Sequence, residues 1–332
     1  MKKIKKMQLS VVGLFAALML VLGPFNSALA QTYEPDNPEY TFHVVVQYSP
    51  HPFWDTFVNG ALEAGKRYNV KVVSAMFPTE SIEQQADRID QVRSLKPDGM
   101  AISISNLQSI KGPTMRAINA GIPVVAVNSP DTSPKDKRIP YLFYTGQSEF
   151  LAGQEVARRM LKANPGIKHV MIANQSPGLG VLEQRAGGVK DVMQKRGVKV
   201  TVVAITRNPS QILERYRAHW ARHPETDGFV TLSSHPFNKV GRDLFKQKGI
   251  MNKVTNMTFD MSQDCVDAVR KGEMLGMVDQ QQYFYGYIAI SMLYMNAKYG
   301  FVPAADILTG PFIVDKSNVD IAAPGIKGGW RM

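Results

Sequence analysis

The chain of 332 residues contains one cysteine, Cys265. A single thiol cannot close an intramolecular disulfide, so the fold has no covalent staple and rests on packing. Cys265 itself is expected as a small apolar residue buried on a helix. Long apolar runs are also missing. The longest, residues 11–22, is shorter than the roughly 20 residues that span a bilayer. No block of like charges is long enough to act as a nucleic-acid tail. There is no G-x-S-x-G, no HExxH, no P-loop and no CxxC. The expectation is therefore a protein without catalytic residues, cofactor or metal ligands, and not an enzyme. Gly178-Leu179-Gly180 opens a dinucleotide-type glycine pattern, but Glu183 stands where its third glycine belongs.

What is present begins at the amino terminus. Lys2, Lys3, Lys5 and Lys6 precede the apolar run, and Ala28-Leu29-Ala30 follows it. This is the layout of a secretory signal peptide over residues 1–30, with a mature chain starting at Gln31 and acting in the periplasm. No cysteine stands near the cleavage point to carry a lipid. The precursor has a net charge of +11; taking the four leader lysines from its 39 basic residues leaves 35 against 28 acidic ones, or +7. These charges are scattered over amphipathic stretches such as Glu214-Arg215-Tyr216-Arg217, as on a solvated surface.

About 300 mature residues suffice for two domains. Short β-branched runs alternate with helical patterns throughout. Strands are expected at residues 42–47, 71–75, 99–104, 123–127 and 141–145, then at 169–173, 199–205, 228–232, 253–258, 275–278 and 312–314. Most are continuously apolar, the pattern of parallel strands covered on both faces. Residues 53–68 repeat apolar side chains at a 3–4 spacing, and Ser81 is placed to cap a helix over 82–94. Such alternation specifies a doubly wound α/β fold. Asp98–Ser105 also resembles Asp227–Ser234, and each precedes by about 30 residues a strand ending in a polar residue, Asn128-Ser129 or Asp260. Two similar lobes follow from that echo.

In open α/β sheets ligands sit at the carboxyl ends of strands. There the chain places Gln47, His51, Phe53 and Trp54, then Asn128 and Ser129, then Arg185, Asp260 and Gln280. Amides, a carboxylate, a guanidinium and an aromatic pair are the groups that hold a neutral polyhydroxylated ligand: polar groups bond hydroxyls, and aromatic faces cover C–H surfaces. Alternative roles exist for several. Phe53 and Trp54 could be core at a helix start, Arg185 a surface charge, and Asp260 a helix cap. His219 and His223 lie one helical turn apart, but without a third ligand nearby they are expected in solvent.

Over residues 41–315 the chain resembles the ribose- and galactose-type periplasmic binding proteins of ABC transporters. The resemblance is carried by His51-Pro52-Phe53-Trp54, Ala120-Gly121-Ile122-Pro123-Val124-Val125, Tyr144-Thr145-Gly146-Gln147 with Ala152-Gly153, Arg185-Ala186-Gly187-Gly188 and Thr258-Phe259-Asp260. It implies two doubly wound parallel-sheet lobes, residues 41–145 with 281–309 and residues 146–280 with 310–332. Three crossings would join them, with hinge positions at Thr145, Gln147, Gln281 and Gly310. It further implies a sugar-like ligand in the cleft, ring stacking by Phe53 and Trp54, ligand binding by Arg185, Asp260 and Gln280, a monomeric state, and delivery to permease subunits in the inner membrane. The same fold also serves as a sensor that presents a sugar-like signal to a membrane receptor. Departures are specific. Asn128-Ser129 replaces a charged Asp-Arg pair, His51 replaces Asn, Gln47 enlarges the first-strand position, and Leu179 and Val181 replace the galactose-type His and Asp. The ligand is accordingly expected to be neither ribose nor galactose.

Overall fold

The structure, a computed structural model, describes residues 30–47, 52–75, 77, 81–234 and 236–332. Residues 1–29 of the expected leader and His51 lie outside the described residues. Among the described residues the strands are β1 (Ala30–Tyr33), β2 (Thr41–Val45), β3 (Lys71–Ala75), β4 (Gly99–Ile102), β5 (Val124–Val127), β6 (Tyr144–Gln147) and β7 (His169–Asn174). They continue as β8 (Lys199–Ala204), β9 (Gly228–Thr231), β10 (Thr255–Phe259), β11 (Gly276–Asp279), β12 (Ile307–Gly310) and β13 (Phe312–Asp315). The main helices are α1 (Pro52–Tyr68), α2 (Ile82–Ser94), α3 (Leu107–Asn119), α4 (Glu149–Ala163), α5 (Gly180–Lys195), α6 (Pro209–Arg222), α7 (Phe237–Gln247), α8 (Gln263–Arg270) and α9 (Gln282–Tyr299).

The strands form two sheets, in the orders β1-β3-β2-β4-β5-β6-β12 and β13-β11-β10-β9-β7-β8. Stripped of its added edge strands, each follows the same doubly wound order, with the first strand inside and the second at its flank. β1 and β13 are antiparallel to their neighbours, and the other pairings are parallel. Continuously apolar segments have become interior strands: β4, β5, β7, β9 and β11 are buried along their whole length. β8, at the sheet edge, is only half-buried. Each sheet is covered on both faces. One core joins Phe42, Phe57, Val125 and Leu293, with a second on the other face around Ile89, Met100 and Ile110. The second sheet has matching cores around Met160 and Val230 and around Tyr216 and Phe245. Ser81 caps α2 by accepting the Gln84 N–H, as expected. Cys265 is buried on α8.

Two strands were not foreseeable. Ala30–Tyr33, outside the expected strands, forms the β1 edge, paired from Ala30 with Ala75 to Tyr33 with Val72. Likewise Ile307–Gly310 forms β12, which extends the first sheet beyond β6. Both are four-residue edge strands whose pairing comes from a neighbouring strand rather than from a local pattern.

Glycines set the closest helix contacts. A Cβ on Gly153 would lie 2.1 Å from the Arg185 carbonyl oxygen, and one on Gly188 would lie 2.1 Å from that of Phe150. α4 and α5 therefore meet backbone to backbone. The first lobe repeats the device. A Cβ on Gly60 would lie 1.9 Å from the Tyr283 carbonyl oxygen, and one on Gly286 2.2 Å from that of Phe57, joining α1 to α9.

Two outcomes follow. Gly188→Ala should lower stability by about 3 kcal/mol through overpacking of α4 against α5, read as a fall in the urea midpoint at unchanged slope. His43, buried in β2, has its pKa pushed down to about 4 by burial and by Lys71 and Arg88. The unfolded chain then binds more protons than the folded one between about pH 6.5 and pH 4, so stability is present above that window and is lost as pH falls through it. In His43→Leu the melting temperature should fall less between pH 6.5 and 4 than in the parent chain.

Candidate ligand-binding site between the two sheets

A cleft of about 730 Å³, counting the part open to solvent, is lined from both sheets. The first sheet supplies Gln47 after β2, Ser105 after β4, Asn128 and Ser129 after β5, and Phe53 and Trp54 from the first turn of α1. The second supplies Gln175 and Ser176 after β7, Arg207 after β8, Ser233 after β9 and Asp260 after β10, with Leu179, Val181, Leu182 and Arg185 around the start of α5. Every polar contributor stands at or just beyond a strand's carboxyl end, except Arg185, which reaches in from α5.

Asn128 and Asp260 occupy equivalent places in the two lobes. Both adopt left-handed backbone conformations, with φ of 60° and 65°. Asn and Asp tolerate that region better than other non-glycine residues, and such strain concentrates at functional positions. The turn aims each side chain away from its strand. Asn128 Oδ1 accepts the Tyr285 hydroxyl at 3.4 Å. Asp260 Oδ2 accepts the Ser233 hydroxyl at 3.0 Å, and its Oδ1 accepts the Gln280 amide.

Arg185 is buried in an ion pair that no local pattern signals. Its Nε and one terminal nitrogen donate to the two carboxylate oxygens of Glu149 at 2.7 and 3.1 Å. Its other terminal nitrogen donates to the Leu232 carbonyl at 2.7 Å and lies 3.7 Å from Asp260 Oδ2. The guanidinium carbon sits 4.7 Å from the centre of the Phe259 ring. Burial works against its charge, but Glu149 and Asp260 outweigh burial and raise its pKa further. Glu149 also accepts the Gln147 amide at 2.7 Å. The contacts thus run unbroken from Gln147 through Glu149, Arg185 and Asp260 to Gln280. Those end points stand where the chain leaves each sheet for the other.

The remaining expected positions fall as follows. Trp54 is both core and cleft wall: it is buried in the first core, 4.8 Å from Phe53 and 5.9 Å from Phe57 between ring centres. Phe53 is half-buried beside it. Gln280 does not line the cleft; it is buried behind Asp260. Thr145 and Gln147 are buried at the end of β6, and the Thr309 hydroxyl at the end of β12 donates to the Gln280 carbonyl at 2.9 Å. The Gln281 amide donates to the Thr309 carbonyl. Gly310 sits so close to Gln147 that a Cβ there would lie 2.9 Å from its Oε1. The sequence points to a polar position near residues 233–235 without fixing its register, and it does not single out Ser105, Gln175, Ser176, Leu182, Arg207 or Glu149. Applying the carboxyl-end rule to every strand would have found all of these but Leu182 and Glu149. Among the described residues, Gln175 Oε1 is a buried acceptor on the cleft lining without a hydrogen-bond partner. No helix among the described residues is long and apolar enough to cross a membrane.

One expectation is overturned. His219 is buried rather than solvated, and its ring packs 5.4 Å from that of His169. His169 starts β7 and lies far away in sequence, so helical spacing alone does not reveal it.

Comparison with known proteins places the chain. Residues 42–300 match the periplasmic binding protein domain. A xylose/arabinose-binding protein of Sulfolobus acidocaldarius is 23% identical over 303 residues, covering 88% of this chain and 73% of that protein. A carbohydrate transporter protein from Acidothermus cellulolyticus, solved in complex with myo-inositol, superimposes with a TM-score of 0.78 at 29% identity, covering 89% of this chain and 100% of that one. A periplasmic sugar-binding protein of an ABC transporter from Legionella pneumophila gives 0.74 at 26% identity, covering 82% and 99%.

Glu149→Gln keeps a hydrogen-bonding side chain but leaves the buried guanidinium short of a counter-charge. Breaking such a pair costs about 3–5 kcal/mol, so the urea midpoint should fall sharply. An unchanged midpoint would show that the pair contributes nothing to the fold.

Proposed function

The chain belongs to the periplasmic binding protein family, whose fold serves solute binding rather than catalysis, and from that premise we propose that it is the solute-binding component of an ABC importer for a neutral sugar or polyol. The observation that carries the reading is the charge balance of the cleft. Arg185, the guanidinium buried at the cleft, is paired with Glu149 at 2.7 Å and lies 3.7 Å from Asp260, so these charges are matched within the protein rather than offered to an ionic ligand. What remains is hydrogen bonding to hydroxyls from Gln47, Asn128, Gln175, Ser233 and Asp260. Phe53 and Trp54 on one side and Leu179, Val181 and Leu182 on the other cover the C–H faces of a ring. Asn128-Ser129 offers no charge where ribose-type proteins use a charged pair, which favours a cyclitol or a pentose gripped by neutral groups. The ligands named for two relatives, myo-inositol and xylose or arabinose, are of that class.

In this reading, residues 41–145 with 281–309 and residues 146–280 with 310–332 act as two lobes. Thr145, Gln147, Gln281 and Gly310 take up the hinge rotation. A ligand that touches Asn128 and Phe53 on one lobe and Asp260 and Arg185 on the other binds the closed form better than the open one, and shifts the population by that difference. The closed monomer then docks on permease subunits at the inner membrane.

The test is a melting-temperature and calorimetry panel of myo-inositol and other cyclitols, xylose, arabinose, hexoses, nucleosides and amino acids. One neutral polyhydroxylated compound should bind with one-to-one stoichiometry. Asp260→Ala should weaken it by about 1.5–3 kcal/mol, the cost of removing a charged hydrogen-bond partner. Binding only of an amino acid or a nucleoside would overturn the ligand class.

A further inference from the structure

At the pole of the second sheet opposite the cleft, three imidazoles and a carboxylate converge. His169 opens β7, His219 lies in the last turn of α6, His223 follows that helix as its carboxyl cap, and Glu225 stands in the loop to β9. The three rings lie 5.1 to 5.4 Å apart between centres. Glu225 Oε1 is 3.3 Å from His169 Nδ1 and 3.4 Å from His223 Nδ1, and the three ligand atoms all fall within 4.8 Å of one another.

We propose that His169, His223 and Glu225 form a binding site for a divalent transition-metal ion, zinc by the nature of its ligands. Bonds of about 2.0–2.2 Å at tetrahedral angles put neighbouring ligand atoms roughly 3.3 Å apart, and both Glu225 contacts have that separation. Two imidazoles and one carboxylate suit zinc and its neighbours rather than magnesium or calcium, which prefer oxygen alone. Glu225 is 47% exposed, so the fourth position opens to water.

The surroundings prepare His169 for this role. Its Nε2 lies 2.9 Å from the Thr201 hydroxyl, and donation there leaves the Nδ1 lone pair facing Glu225. Asp227 accepts the backbone N–H groups of Lys168 and His169 at 3.0 and 3.1 Å, fixing where the ring stands. His219 Nε2 meets the Thr226 hydroxyl at 2.9 Å, and that hydroxyl is 3.0 Å from His169 Nδ1. A bound ion would replace the Thr226 hydrogen bond and the direct Glu225 contact at His169 Nδ1. Lys199 Nζ, 3.7 Å from Glu225 Oε1, is an exposed competitor that solvent screens. A bound ion would tie the start of β7 to the end of α6 and the loop beyond it, and would leave the cleft untouched.

The experiment uses the chain without a polyhistidine tag, stripped with EDTA and titrated with zinc chloride against a chromophoric chelator. One ion should bind per chain. His223→Ala and Glu225→Gln, both at side chains reached by solvent, should each weaken it by about tenfold or more. Copper(II) should quench Trp220, whose ring is 5.2 Å from that of His219, in the parent chain and less in either variant. Absence of stoichiometric zinc binding in the parent chain would overturn the proposal. So would equal zinc affinity in the parent and both variants.

Discussion

The buried pair of Glu149 and Arg185 is the constraint on which the second lobe's half of the cleft depends. A guanidinium out of water is costly unless its charge is matched and its donors are used. Glu149 takes two of those donors, and the Leu232 carbonyl takes another. That geometry exists only because α4 and α5 approach within backbone contact at Gly153 and Gly188. The order of causes runs from two missing side chains, to a close helix pair, to an ion pair, to an arginine held beside Asp260. The Ala152-Gly153 and Arg185-Ala186-Gly187-Gly188 motifs thus have one physical meaning between them.

The two lobes solve the same problem by the same means. Each sheet has the same strand order at its centre, each carries one helix pair closed by glycines, and each presents a left-handed Asn or Asp at the end of a strand. They differ in what supports the presented side chain. Asn128 has a phenolic hydroxyl from Tyr285, whereas Asp260 has a serine, an amide and a nearby guanidinium. One lobe therefore offers neutral groups and the other a charge already compensated.

Much of this was legible in the sequence. Buried strands announced themselves as unbroken apolar runs, and the echo between residues 98–105 and 227–234 pointed to Asn128 and Asp260 as counterparts. The rest depended on contacts between segments remote in the chain. Glu149, in the first turn of an amphipathic helix, reads as a surface charge until α5 is laid against it. β12 and β1 borrow their pairing from neighbours. The histidine spacing on α6 suggested solvent because neither His169 nor Glu225 lies on that helix.

The connections between the sheets have almost no slack. Only Pro311 separates β12 from β13, and only Ser148 separates β6 from α4. Chains this short cannot let the two sheets draw apart or slide, since each added ångström of separation would have to come from unravelling a strand. Rotation about the line of connections is the freedom left. The distance across the cleft mouth then grows in proportion to its distance from that line, as at the end of a lever. Under the proposed function, the width of a molecule held between the sheets would set that angle.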